Sequence, residues 1–168
     1  MWFKHLVSIV SLPVCVLVIF PAFLSSLFGL KLLWGYYFLS GAFVLILGLV
    51  FVGLGLFLLI YTISFFVSDG DGTIAPWYPT RNLIKRGIYG CVRNPMMMGV
   101  FLTLIGECFI FGSFAFVFYV LVFITANLVY IPFIEEPRLV RRFGDEYLKY
   151  KNEVPRWLPI ECLQKLLD

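Results

Sequence analysis

Residues 6–30 and residues 32–68 contain no Lys, Arg, Asp or Glu, and residues 94–134 contain only one, Glu107. A helix crossing the hydrocarbon layer takes roughly 20 such residues, so each of the first two stretches predicts a transmembrane helix. The third would reach about 60 Å as one helix at ~1.5 Å per residue, twice the hydrocarbon thickness. Gly112-Ser113 offers a tight turn near its middle, which predicts a helical hairpin. With 61% hydrophobic and 14% charged residues and a mean hydropathy of +0.96, the chain cannot hide its apolar surface in one water-soluble core. The predicted fold class is all-α: a polytopic membrane protein of about four transmembrane helices, the last two a hairpin, with an amphipathic C-terminal segment. Residues 1–68 read as two scaffold spans, and residues 69–168 as the part that carries chemistry.

Charge sets the expected orientation. Four spans put the N-terminus, the 69–94 loop and the tail after Glu135 on one side, and of 13 Lys and Arg all but Lys31 fall there. The positive-inside rule then places both termini in the cytosol, at a bacterial inner membrane or the endoplasmic reticulum. The net charge of +3 belongs to topology and lipid headgroups rather than to a nucleic-acid partner. The first apolar run follows Lys4 as a signal peptide would. It is 25 residues long without a small-x-small cleavage site, and reads as a retained span kinked by Pro13 and Pro21. Cys15 and Cys108 sit at membrane depth, Cys91 and Cys162 in the polar parts. No pair has metal-ligand or redox spacing, so neither a zinc site nor a disulfide is expected. The lone histidine, His5, reads as an interfacial residue.

Chemistry-bearing residues collect in two polar blocks at the edges of the third apolar stretch. The loop before it opens with Asp69-Gly70-Asp71-Gly72, which lacks the later oxygen ligands of a calcium loop and reads as a turn. Ala75-Pro76-Trp77-Tyr78-Pro79 suits an interface. Gly87-Ile88-Tyr89-Gly90-Cys91-Val92-Arg93-Asn94-Pro95 then leads into the hairpin. Proline is at home at a helix start, and the planar fork of Arg93 either snorkels to the interface or holds a carboxylate. The second block begins Glu135-Glu136-Pro137. Leu139, Phe143, Tyr147 and Tyr150 recur at spacings of four, four and three, so one face of an amphipathic helix, broken at Gly144, can cover a pocket or lie on the membrane. The hairpin returns the chain to its starting side and brings arginine and paired carboxylates together. Glu107, alone among apolar residues, is either functional or a protonated structural donor, with Asn127 as a possible partner across the hairpin.

In order and spacing, Arg93-Asn94-Pro95, Glu135-Glu136, Phe143-Gly144 with Tyr147 and Tyr150, and Val154-Pro155 resemble the isoprenylcysteine carboxyl methyltransferase and phospholipid methyltransferase superfamily. That family carries Arg-His-Pro before a transmembrane hairpin and Glu-Glu after it, and here Asn94 replaces the histidine. The resemblance covers roughly residues 72–159. It implies an S-adenosylmethionine-dependent methyltransferase acting on a hydrophobic or lipid-like acceptor, with no metal. By the same resemblance Tyr89, Arg93, Asn94, Pro95, Glu135, Glu136, Tyr147 and Tyr150 surround the cofactor, and Gly99 and Gly106 let it approach the helix backbone; the catalytic candidates are Arg93 and, as the lone intramembrane carboxylate, Glu107. A non-catalytic four-span scaffold or lipid-binding protein is the alternative.

Overall fold

A computed structural model of the protein describes residues 13–28, 41–69, 82–159 and 162, and the regular elements among these are all helical. A π-helical turn, Cys15–Ile19, runs into α1 (Phe20–Phe28); α2 is Gly41–Asp69. After a 3₁₀ turn at Gly87–Gly90 come α3 (Pro95–Phe111) and α4 (Phe114–Tyr130). A second π-helical turn, Ile131–Glu135, joins α4 to α5 (Glu136–Phe143), and α6 is Asp145–Glu153. His5, the 70–72 turn, the 75–79 segment and the start of the first apolar run lie outside the described residues.

Local chemistry explains most element boundaries. Pro95 starts α3, where its missing N–H would have had no partner. Gly112 ends it in the left-handed region (φ +56°), its N–H donating to the Cys108 carbonyl, and two residues later α4 begins, so the hairpin turns where the sequence predicts. Gly144, also at φ +56°, separates α5 from α6. Pro132 cannot donate to the preceding turn of α4, and the helix widens there so that the Glu136 N–H reaches the Ile131 carbonyl.

Two helices are long and apolar enough to cross a membrane, Gly41–Phe65 and the continuous Phe114–Phe143, whose uncharged part is 114–134 and ends before Glu135. Only 17% of each apolar window is buried within the molecule, the reverse of a soluble protein's core helix. Phe43, Phe57, Ile60, Phe114 and Phe118 are each about two-thirds exposed or more, as side chains solvated by lipid would be. The four-span expectation meets two shorter apolar helices, Cys15–Leu27 and Pro95–Phe111. Seventeen residues in α3 make about 26 Å, just under a full hydrocarbon thickness.

The helices meet around Leu17, Leu59, Val100, Leu104 and Val120, one cluster to which the first π-helical turn, α2, α3 and α4 all contribute. The most intimate contact is antiparallel, α2 on α3, with Gly48 beside Gly106 and Gly55 beside Gly99. A Cβ on Gly106 would lie 2.7 Å from the Gly48 carbonyl oxygen, and one on Gly99 2.9 Å from that of Gly55. Small residues let membrane helices approach until van der Waals contact between backbones replaces lipid contact. On the other side of α3, the Tyr119 hydroxyl of α4 donates to the Val16 carbonyl (3.0 Å), and its ring stacks on Phe20.

Candidate functional site

Arg93 immediately precedes α3 and Glu136 opens α5, so the hairpin delivers both to the same end of the molecule. Arg93 Nη1 donates to Glu136 Oε1 at 2.8 Å, with side chains only 8% and 2% exposed. Two further cations converge on the same carboxylate. Arg156 Nε donates to Oε1 at 2.7 Å, and Lys151 Nζ stands 2.8 Å from Oε2 as an ion pair. Three cations thus face one buried carboxylate, and Arg93 Nε is buried without a hydrogen-bond partner.

Glu135 takes no part in these pairs. Successive helical residues point about 100° apart, so Glu135 and Glu136 meet different surroundings. The electrostatics separate the two accordingly. Burial works against ionisation of Glu136, but Arg156, Lys151 and Arg93 outweigh it and hold the carboxyl below the usual range. Burial, and then the charge of Glu136, push the Glu135 carboxyl upward.

Tyrosines wall the cluster. Tyr147 and Tyr150, buried on one face of α6, pack with Val154 against Leu83, Leu139, Val140 and Phe143, as their spacing predicts. The Tyr150 hydroxyl donates to the Tyr89 carbonyl at 2.7 Å, tying α6 to the 3₁₀ turn ahead of Arg93. The Tyr89 ring lies edge-on to Phe65 of α2. Burial raises all three phenols above their ordinary range, so they act here as neutral hydrogen-bonding groups.

Segment 154–159 closes the cluster from the far side. The Arg93 N–H donates to the Pro155 carbonyl (2.9 Å), and Trp157 packs on Phe101 of α3, which meets Phe123 of α4 edge-on. Asn94 occupies the N-cap position of α3 without using its side chain as a cap. Beside the cluster, a shallow cleft of about 470 Å³ is lined by Asn82, Leu83, Ile84, Lys85, Arg86 and Glu146, with Lys85 and Glu146 paired at 2.6 Å.

The structure therefore gathers Tyr89, Arg93, Asn94, Pro95, Glu135, Glu136, Tyr147 and Tyr150 at one end of α3. Gly99 and Gly106 are instead turned onto α2, where their missing side chains serve helix packing. Glu107 lies about 18 Å along α3 from Pro95 at ~1.5 Å per residue, far from Arg93. Asn127 donates to the Phe123 carbonyl of its own helix (2.8 Å), not to Glu107.

Sequence reasoning missed Lys151 and Arg156 as partners of Glu136. The signal was available for Lys151, which follows Tyr147 by four residues and shares its helix face. It also missed a covalent link. Cys91 and Cys162 form a disulfide with Cα atoms 5.5 Å apart, contrary to the expectation that no cysteines pair. Their separation of 71 residues fits no local spacing rule, and only the return of the tail past Arg93 brings them together.

The model of a phospholipid methyltransferase family matches residues 30–146. No curated protein and no solved structure gives a significant match. The matched region takes in α2, Arg93, the whole hairpin and the Glu135-Glu136 pair, well over half of the chain. The chain belongs to the phospholipid methyltransferase family, and this membership points to a membrane methyltransferase.

Proposed function

We propose that the protein transfers a methyl group from S-adenosylmethionine to a hydrophobic or lipid-like acceptor that reaches the site laterally from the bilayer. The observation that carries this reading is the buried Arg93–Glu136 pair with its surplus of positive charge. The methionine end of the donor bears a carboxylate and an ammonium. Arg93 Nε, buried without a partner, and the neighbouring cations suit the carboxylate; Glu136 Oε2, buried and ion-paired with Lys151 but without a hydrogen bond, suits the ammonium in place of Lys151. Asn94 both donates and accepts, so it retains a hydrogen-bonding role where the family has histidine, without a titratable ring.

The donor's sulfonium supplies the methyl group for an in-line displacement, which requires aligned reactants and excluded water. The chain's own contribution is to orient and to exclude. Arg93 and Glu136 fix one end of the donor, Glu135 lies beside it for a hydroxyl or amine, and Tyr89, Tyr147 and Tyr150 form a dry wall. The acceptor nucleophile is a carboxylate, an amine or a thiol. In this reading the apolar run 6–30, α2, α3 and α4 are four spans, with residues 1–68 as scaffold, residues 69–168 as the methyltransferase core and both termini in the cytosol.

Titration of the detergent-purified protein with S-adenosylhomocysteine tests the donor site. Saturable binding is expected in wild type, with a loss of 100-fold or more in Arg93→Ala, on the order of 3 kcal/mol for a charge-assisted bidentate contact. Folded wild type that does not bind would overturn the methyltransferase reading and favour a four-span scaffold or lipid-binding protein. The replacement of the family histidine by Asn94 motivates a narrower second reading, a donor-binding relative without turnover. Release of S-adenosylhomocysteine in membranes carrying the acceptor decides between turnover and binding alone.

A further inference from the structure

We infer that the Cys91–Cys162 disulfide is a redox-controlled latch that holds the C-terminal strap closed over the Arg93–Glu136 site; this rests on the proposed donor site and topology. Cys91 lies two residues before Arg93, and the strap is attached to the site at several points. The Pro155 carbonyl accepts from the Arg93 N–H, Arg156 holds Glu136, Trp157 packs on Phe101, and Cys162 is bonded to Cys91. The bond therefore fixes the far end of a segment whose near end already covers the cluster.

In this closed state the two residues that would receive the donor are 8% and 2% exposed, and they neutralise each other. A ligand with its own carboxylate and ammonium must part them and displace residues 155–157. Without the disulfide, the contacts that hold residues 155–157 among the described residues are one backbone hydrogen bond, an arginine that is 29% exposed and a ring contact, interactions that are individually weak. With it, opening must carry Cys91 and the turn before Arg93 along. Apparent affinity scales with the fraction of molecules in the binding-competent state, so the latch lowers donor affinity without touching the donor.

The exchange balances with a low-molecular-weight disulfide as oxidant. The thiolate of Cys91 or Cys162 attacks one sulfur of oxidised glutathione, giving a mixed disulfide and one released glutathione thiolate. The second cysteine thiolate then displaces the other glutathione, closing the Cys91–Cys162 bond. Two electrons and two protons leave the protein and appear as two molecules of reduced glutathione. On the proposed topology both cysteines face the cytosol, where the glutathione pool keeps most thiols reduced and a pair such as this one responds to oxidation. Cys15 and Cys108 stand on the apolar helical elements and take no part.

The test uses full-length protein equilibrated with dithiothreitol or with oxidised glutathione, the linkage being verified by peptide mass mapping. S-adenosylhomocysteine affinity is expected to be about tenfold weaker or more in the oxidised form, through the reduced open fraction. Cys162→Ser should bind as reduced wild type does and ignore the oxidant. Equal or tighter binding by the oxidised form, or failure of oxidised glutathione to form the bond, overturns the latch. Hydrogen exchange at the Arg93 amide, which donates to Pro155, reads the strap without any ligand. If even reduced wild type fails to bind S-adenosylhomocysteine, the methyltransferase reading fails. The latch then stands if Arg93 exchanges faster on reduction, and falls if exchange is the same in both states.

Discussion

Glu136→Gln is expected to cost roughly 3–5 kcal/mol of stability, the range for breaking a buried ion pair by removing one partner. The three cations around Glu136 do not lose equally. Lys151 and Arg156 are 39% and 29% exposed and recover hydration, whereas Arg93, at 8%, is left as an uncompensated buried charge. Arg93→Ala should be milder, because Glu136 keeps Lys151 and Arg156; its loss falls on ligand binding instead. For a chain of this length the Glu136→Gln penalty corresponds to an apparent melting temperature lower by on the order of 10 °C. The pH dependence has a definite sign. The folded Glu136 carboxyl is held below its ordinary range, so the stabilisation it gives is complete above the unfolded glutamate value, about 4.3, and is lost as pH falls through the folded value. Wild type should therefore lose stability in that acid window while Glu136→Gln, with no carboxyl there, does not lose this contribution. Thermal denaturation of both proteins between about pH 3 and pH 7 checks it. A glutamine variant as stable as wild type at neutral pH would mean that the cluster does not hold the fold together.

What could be read from the sequence follows the range of the interactions involved. The hairpin turn at Gly112-Ser113, the helix start at Pro95 and the break at Gly144 depend on one residue's backbone chemistry, and each stands where it was predicted. The convergence of Arg93 on Glu136 was also legible, because a hairpin of 41 residues between polar blocks must return to the side it left. Arg156 and the Cys91–Cys162 bond were not, since each depends on the path of the tail after Gly144, which no periodicity encodes; Lys151 was signalled only by sharing a helix face with Tyr147. The roles of Gly99 and Gly106 were drawn from resemblance, although their spacing of seven matches that of Gly48 and Gly55, and that match was the packing signal.

That packing leads to the second large effect: Gly106→Leu is expected to abolish correct assembly of α2 on α3. A Cβ at Gly106 would meet the Gly48 carbonyl oxygen and the Val52 nitrogen, both at 2.7 Å, and the Val52 Cγ2 at 2.8 Å. Two of these are backbone atoms, which no rotamer change can move, so the helix axes must separate. Overpacking a core usually costs about 1–3 kcal/mol, and the cost here is larger because Gly55, Gly99 and Gly48 lose their close contacts together. The damage reaches the site, since α2 supports Tyr89 through Phe65 while α3 carries Arg93 at its start. Gly53 is the control: a Cβ there meets nothing within 4 Å, and Gly53→Ala should gain up to about 1 kcal/mol from helix propensity alone. Monodisperse yield and melting temperature of the two variants give the comparison. Both glycines lie in apolar helices, so a wild-type-like Gly106→Leu protein would disprove the antiparallel glycine contact itself.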